Sequence, residues 1–235
     1  MATSTTKSAF WQGLFGGAPF LLVICPFAIL FGVAGTEAGL TLAEVMGFSV
    51  LVIAGAAQFT AVQLMTEHTP TVIVLIASLA VNLRMAMYSA AMVPYLGAAP
   101  LWQRALVAYG LVDQSYALSV AKYQASPDMD LPRRLAFFGG IFVSVGLPWY
   151  VMTWVGAVAG TAIPPEMALD FAIPITFLAM VAPALRSLPH IVAALVSALG
   201  ALVLNGLPYG MGLILAAIAA MAAGATTEHL LEKTP

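Results

Sequence analysis

Charge is what this sequence has least of. Only 8% of its 235 residues are Asp, Glu, Lys or Arg, while 62% are hydrophobic. A water-facing globular domain carries about a quarter charged residues, so a soluble surface is excluded. The single cysteine, Cys25, excludes a disulfide and a cysteine-ligated metal. His68, His190 and His229 are not spaced as metal ligands. The net charge of −2 comes without any basic cluster, which gives nucleic acid no footing. Neither GxxxxGK(S/T), HExxH nor GxSxG occurs, and no pair of aspartates lies in an apolar run. ATP hydrolysis and intramembrane hydrolysis are therefore disfavoured. No filter-like loop or ring of like charges marks a channel. The chain reads as a non-enzyme without metal or cofactor.

Long apolar runs are what the sequence does have. Uncharged stretches cover 8–36, 45–66, 85–103, 135–165 and 187–227, near or above the roughly 20 residues a transmembrane helix needs. They do not alternate in polarity as the strands of a membrane barrel do. The fold class is an all-α polytopic membrane protein, a single transmembrane domain over 1–235 that has the lipid bilayer as its solvent. The expected spans are 13–35, 41–65, 70–96, 102–122, 134–160, 169–186, 190–204 and 208–224. "NGLPYG" (205–210) interrupts the last two; its glycines and proline break a helix, so the count is seven or eight.

Lys122, Arg133 and Arg134 flank the longest internal loop, "KYQASPDMDLPRR", and the positive-inside rule makes that loop cytoplasmic. Counting four helices back puts the N-terminus and Lys7 on the same side. Arg104 alone disagrees. A faint repeat relates Gly16-Gly17 to Gly139-Gly140, and Asn82 to Asn205, at an offset of 123 (139 − 16 and 205 − 82). Three-helix halves 13–96 and 134–224, joined by helix 102–122, would follow a familiar transporter plan. Trp11, Trp102, Tyr95, Tyr109 and Tyr123 fall near expected helix ends, as interfacial anchors do.

Against this apolar background "AVNLRMAMYSAAM" (80–92) places Asn82 and Arg84 inside a span. Asp113 lies inside the next. With the connection centred near residue 98, both charges sit 14 or 15 residues from it (98 − 84 and 113 − 98), roughly 22 Å back along antiparallel helices. An uncompensated charge at that depth costs about 2.5 kcal/mol or more, which pairing relieves. The pair is either structural or a site where Arg84 holds a carboxylate and Asp113 an amine or a proton. In "AGAAQFTAVQL" (54–64), Gly55, Ala56 and Ala57 allow close helix packing, and Gln58 is helix–helix glue or a site residue. Asn205, before Gly206 and Pro208, marks a place where a helix end could form an ion or zwitterion site.

"GAPFLLVICPFAILFGVAGTEAGLTLAEVMGFSVLVIAGAAQFTAVQLM", "VNLRMAMYSAAMVPYL" and "LVDQSYAL", in this order and at these distances, resemble the AzlC family, the large subunits of branched-chain amino-acid exporters. The resemblance covers about residues 10–220. It implies a bacterial inner-membrane protein working with a small AzlD-type membrane subunit. It also implies proton-driven efflux of leucine, isoleucine, valine and sometimes methionine. By position it points to Gln58, Asn82, Arg84 and Asp113. Members often carry an acidic pair where this chain reads Asp113-Gln114, so a mechanism that needs two carboxylates does not transfer. The alternatives are a non-transporting membrane scaffold or sensor, and a carrier for a different small zwitterion or organic acid.

Overall fold

The computed structural model describes residues 5–160, 185, 187–207 and 211–232. The expected span 169–186 therefore lies almost wholly outside the described residues. The described chain is helical. Thr5 caps α1 (Thr6–Gly17), which continues through a 3-10 turn at Ala18–Phe20 into α2 (Leu21–Glu37). Then come α3 (Leu42–Leu51), α4 (Gly55–Thr66), α5 (Thr71–Leu96), α6 (Leu101–Tyr109), α7 (Asp113–Ala125), α8 (Leu131–Gly160), α9 (Leu188–Val203) and α10 (Met211–Glu232). Among these, Thr6–Glu37, Thr71–Leu96, Leu131–Gly160 and Met211–Leu231 are long and apolar enough to cross a membrane.

The chain divides into two compact units, one within Met1–Val62 and Ser78–Pro165, the other within Gln63–Ala77 and Glu166–Pro235. Helices α4 and α5 carry residues of both. The first unit is built on α1–α2 and α8, which lie side by side and parallel. Glycines set their distance: a Cβ on Gly13 would strike the Phe137 carbonyl, one on Gly32 the Thr153 carbonyl, and one on Gly156 the Ile29 carbonyl. Only one glycine of each doublet serves this contact. Gly17 and Gly140 face the neighbouring helix, whereas Gly16 and Gly139 face open space.

Two expected spans are not continuous helices, and this is the main correction. Segment 41–65 breaks at 52–54 and segment 102–122 at 110–112. In each the chain turns back. Along α3, Val45 meets Gly35 and Phe48 meets Phe31, so α3 runs antiparallel to α2. Gln58 then reaches Ser49, nine positions earlier; a continuous helix would separate them by roughly 13.5 Å along its axis. In the second case α7 runs parallel to α5, pairing Asp113 with Arg84, Tyr116 with Tyr88 and Tyr123 with Tyr95. It runs antiparallel to α8, since Gly110 abuts Phe142 while Tyr123 meets Phe137 and Arg134. Thus α3–α4 and α6–α7 are helical hairpins that enter from opposite ends, each followed by one long helix, α5 or α8.

Local chemistry explains the breaks. Thr41 and Glu44 form a capping box that starts α3. At the first tip Ile53 has φ 42°, a left-handed conformation that costs a β-branched residue of order 1–3 kcal/mol and ends the helix. At the second, the Ser115 hydroxyl accepts the Val112 N–H at 2.8 Å and donates to the Gly110 carbonyl at 2.8 Å, replacing lost helical bonds. Asp130 caps α8: its Oδ1 accepts the Arg133 Nε–H at 2.8 Å and backbone N–H at 3.1 Å, and these bonds hold its carboxyl below the usual range.

Two expected anchors prove buried or bonded within the first unit. Tyr123 is 1% exposed and donates to the Arg134 carbonyl at 2.8 Å. Its ring and that of Tyr95 flank the Arg134 guanidinium at 5.6 and 5.7 Å. Tyr109 bonds the first hairpin rather than an interface, as described below. For Tyr109 the reason is the turn-back, which puts it at a hairpin tip beside Val50.

In the second unit α9 and α10 form an antiparallel pair, with Gly200 against Ala216, Gly224 against Ala193 and Gly212 against Leu204.

Candidate functional site

The site grows from the second hairpin. Asp113 is the first residue of α7, so its carboxylate sits where a helix presents unpaired N–H groups and a positive dipole end. From α5, Arg84 Nη1 lies 3.1 Å from Asp113 Oδ2. One turn further along α5, the Tyr88 hydroxyl donates to Asp113 Oδ1 at 2.9 Å. Both carboxylate oxygens are therefore held. Tyr116, three residues into α7, stacks on Tyr88 with ring centroids 4.2 Å apart and planes 10° from parallel.

The pair is not sealed: the Arg84 and Asp113 side chains are 33% and 42% exposed. Near it on α5, the Asn82 Oδ1 and Arg84 Nε are buried atoms with no hydrogen-bond partner among the described residues. The arrangement offers a fixed anion, a cation with donors to spare, and an amide, all beside a helix break.

Gln58 belongs to a different cluster of the same unit. It is fully buried, as are Ser49 and Thr153. Gln58 Nε2 donates to Ser49 Oγ at 3.3 Å, and Ser49 Oγ donates to Thr153 Oγ1 at 3.3 Å. This chain ties both arms of the first hairpin to α8 and leaves Gln58 Oε1 without a partner among the described residues. In the same unit Phe27, Phe31, Phe59 and Trp149 pack on one another. A Cβ on Gly55 would come within 2.5 Å of the Phe27 ring and 2.9 Å of Trp149, so Gly55 admits these rings. Ala57 is buried and Ala56 half-buried.

The tips of the two hairpins meet. The Tyr109 hydroxyl donates to the Val50 carbonyl at 2.8 Å and lies 2.8 Å from the Tyr150 hydroxyl on α8. Asn205 belongs to the second unit, in the turn after α9, where it helps line a pocket of about 290 Å³ with Glu67, His68 and Thr69. No group of three His, Cys, Asp or Glu side chains able to hold a metal exists among the described residues.

Sequence reasoning brought Arg84 and Asp113 together but missed Tyr88, Tyr116, Ser49, Thr153 and Tyr109. Tyr88 could have been found, since it stands four positions after Arg84 on the same helical face. Ser49 and Thr153 carry no signal before the hairpin is known.

Two curated relatives match over most of the chain. The "Inner membrane protein YgaZ" of Escherichia coli is 26% identical over 217 residues, 86% of this chain and 84% of that protein. An "Uncharacterized membrane protein" of Archaeoglobus fulgidus is 29% identical over 222 residues, 92% of this chain and 94% of that protein. No solved structure matches. A family model described as "AzlC protein" matches residues 19–163, more than half of the sequence, and these residues include both hairpins and the Arg84–Asp113 pair. The chain belongs to the AzlC family, membrane proteins related to branched-chain amino-acid exporters.

Proposed function

We propose that this chain is the large subunit of a secondary transporter of the cell inner membrane. It exports leucine, isoleucine, valine or methionine in exchange for protons and works with a small AzlD-type membrane subunit. The observation that carries this reading is the partly exposed Arg84–Asp113 pair at the unwound tip of a helical hairpin. Ionisable groups at membrane depth mark substrate and ion pathways by default, and broken helices are where carriers build zwitterion sites.

The chemistry follows from the pair. A zwitterionic amino acid has its own carboxylate and ammonium. When it arrives, Asp113 exchanges the Arg84 guanidinium for the substrate ammonium, and Arg84 takes the substrate carboxylate, bidentately where geometry allows. Two charge pairs replace one, so neither partner is left alone. A proton taken up by Asp113 removes the counter-charge of the ammonium and releases the substrate. Antiport results.

The charge distribution supports an orientation. Lys7, Arg104, Lys122, Arg133 and Arg134 all fall at the end of the first unit where α8 begins, because the second hairpin returns to that end. Under the positive-inside rule this end, with the N-terminus, is cytoplasmic. Arg104, which disagreed with a crossing helix, agrees with a hairpin.

The test is efflux of radiolabelled leucine from preloaded membrane vesicles. It compares this chain alone, the chain with its small subunit, and the pair carrying Arg84→Ala. Gradient-dependent efflux from the pair, lost with Arg84→Ala in an assembled complex, is expected. No efflux of any of the four amino acids from an assembled pair refutes the reading. A second reading is that the protein is a scaffold or sensor held together by this pair. It is favoured by the engagement of each Asp113 oxygen by a protein donor, Arg84 on one and Tyr88 on the other.

A further inference from the structure

A groove of about 350 Å³ runs between α5 and α6 in the first unit. This lies within the roughly 300–1,000 Å³ of pockets that take small ligands. Met92, Leu96 and Val107 form an apolar wall, with Arg104 towards the cation-bearing end and Ser89 and Leu111 towards the interior. The neighbouring cations are engaged: Arg133 pairs with Asp130, Arg134 lies between two tyrosines, and Lys122 sits over the Phe137 ring. Arg104 is exposed, and its guanidinium has no partner among the described residues.

The inner end of the groove is lined by chain neighbours of the residues around the ion pair. Ser89 directly follows Tyr88, which binds Asp113, and Leu111 stands two residues before Asp113. One cavity thus joins a free guanidinium at the end of the unit, an apolar wall, and the neighbours of the central pair. We propose that this groove is a vestibular binding site for a small carboxylate with an apolar side chain. Arg104 takes the carboxylate, and Met92, Leu96 and Val107 take the side chain before the molecule passes inward to Asp113. The proposal deepens the transporter reading, since it assigns that substrate a docking place on its way to the Arg84–Asp113 pair.

Charge and shape favour an amino acid here. The guanidinium supplies planar, paired donors that match a carboxylate, and the apolar wall takes a branched side chain out of water. A phospholipid, with its phosphate on Arg104 and an acyl chain in the groove, is the competing occupant that the experiment must separate.

The only cysteine, Cys25, is first replaced by serine, and Val107→Cys is introduced into the full chain co-assembled with its small subunit in membrane vesicles. Reaction with a charged, water-soluble methanethiosulfonate reagent is timed with and without leucine. The proposal predicts labelling that leucine slows about tenfold, and loss of that protection, but not of labelling, on adding Arg104→Gln. Protection should persist with Arg84→Ala, so the groove stands or falls separately from the central site. Labelling by lipid-soluble maleimides alone would show an acyl-filled groove and overturn the proposal. So would labelling that leucine does not slow, or protection that survives Arg104→Gln.

Discussion

The Tyr109 hydroxyl donates to the Val50 carbonyl across 2.8 Å, and this bond joins the tip of one hairpin to the tip of the other. The two segments enter from opposite ends, and their tips meet beside Tyr150 on α8, with Tyr109 still 39% exposed. Tyr109 is therefore a tether between the two elements that a carrier of this design would move.

Replacing Tyr109 by phenylalanine keeps the ring against Phe142 and deletes the tether. A net hydrogen bond contributes about 1 kcal/mol, so amide hydrogen exchange around both tips should quicken about fivefold. Unchanged exchange at 49–57 and 109–115 would show that the contact restrains nothing.

The glycine doublets give a matched pair of experiments. Gly17→Ala and Gly140→Ala drive a methyl into α8 and α1 respectively, and overpacking of this kind costs typically 1–3 kcal/mol. Gly16→Ala and Gly139→Ala meet open space and should leave thermal stability in detergent unchanged or slightly raised, since alanine favours the helix over glycine. Equal melting temperatures for all four would contradict the parallel packing of α1 and α8.

Neutralising one member of the ion pair should harm assembly more than neutralising both. Arg84→Gln or Asp113→Asn alone strands a charge at membrane depth, at about 2.5–3.5 kcal/mol on insertion scales; the partial exposure of both side chains reduces this. The double variant should recover yield and melting temperature yet remain transport-inactive. Additive losses would mean the two residues do not interact.

The second hairpin predicts which side each loop faces. In a Cys25→Ser background, Ala98→Cys and Ser126→Cys should be labelled from the same side of the membrane, because α6 enters and α7 returns. A crossing helix over 102–122 would put them on opposite sides, which impermeant maleimide applied to oriented vesicles distinguishes.

The membrane class and the pairing of Arg84 with Asp113 were legible in the sequence, since low charge and apolar run length decide the first and isolation of the charges decides the second. The hairpins were not. Segments 41–65 and 102–122 have the length and composition of spans, and their breaks depend on Ile53 adopting positive φ and on Ser115 bonding Gly110 and Val112, neither of which leaves a proline or a charge as a marker. Arg104 was the one available clue, a cation that a crossing helix put on the wrong side. The hairpin arithmetic gave the right contact for a partly wrong reason: Asp113 meets Arg84 as the first residue of a returning helix, not from the middle of a crossing one.

The polarity of the central pair is the point on which the functional reading rests, and exchanging its charges tests it directly. Arg84→Asp/Asp113→Arg, co-produced with the small subunit, is assayed for assembly and for gradient-driven leucine efflux in vesicles. The account predicts an assembled complex without efflux, because the exchange puts an arginine at the start of α7 and an aspartate on α5, reversing the site that receives a zwitterion. Full efflux from the exchanged protein would contradict it and leave Arg84 and Asp113 as a structural pair.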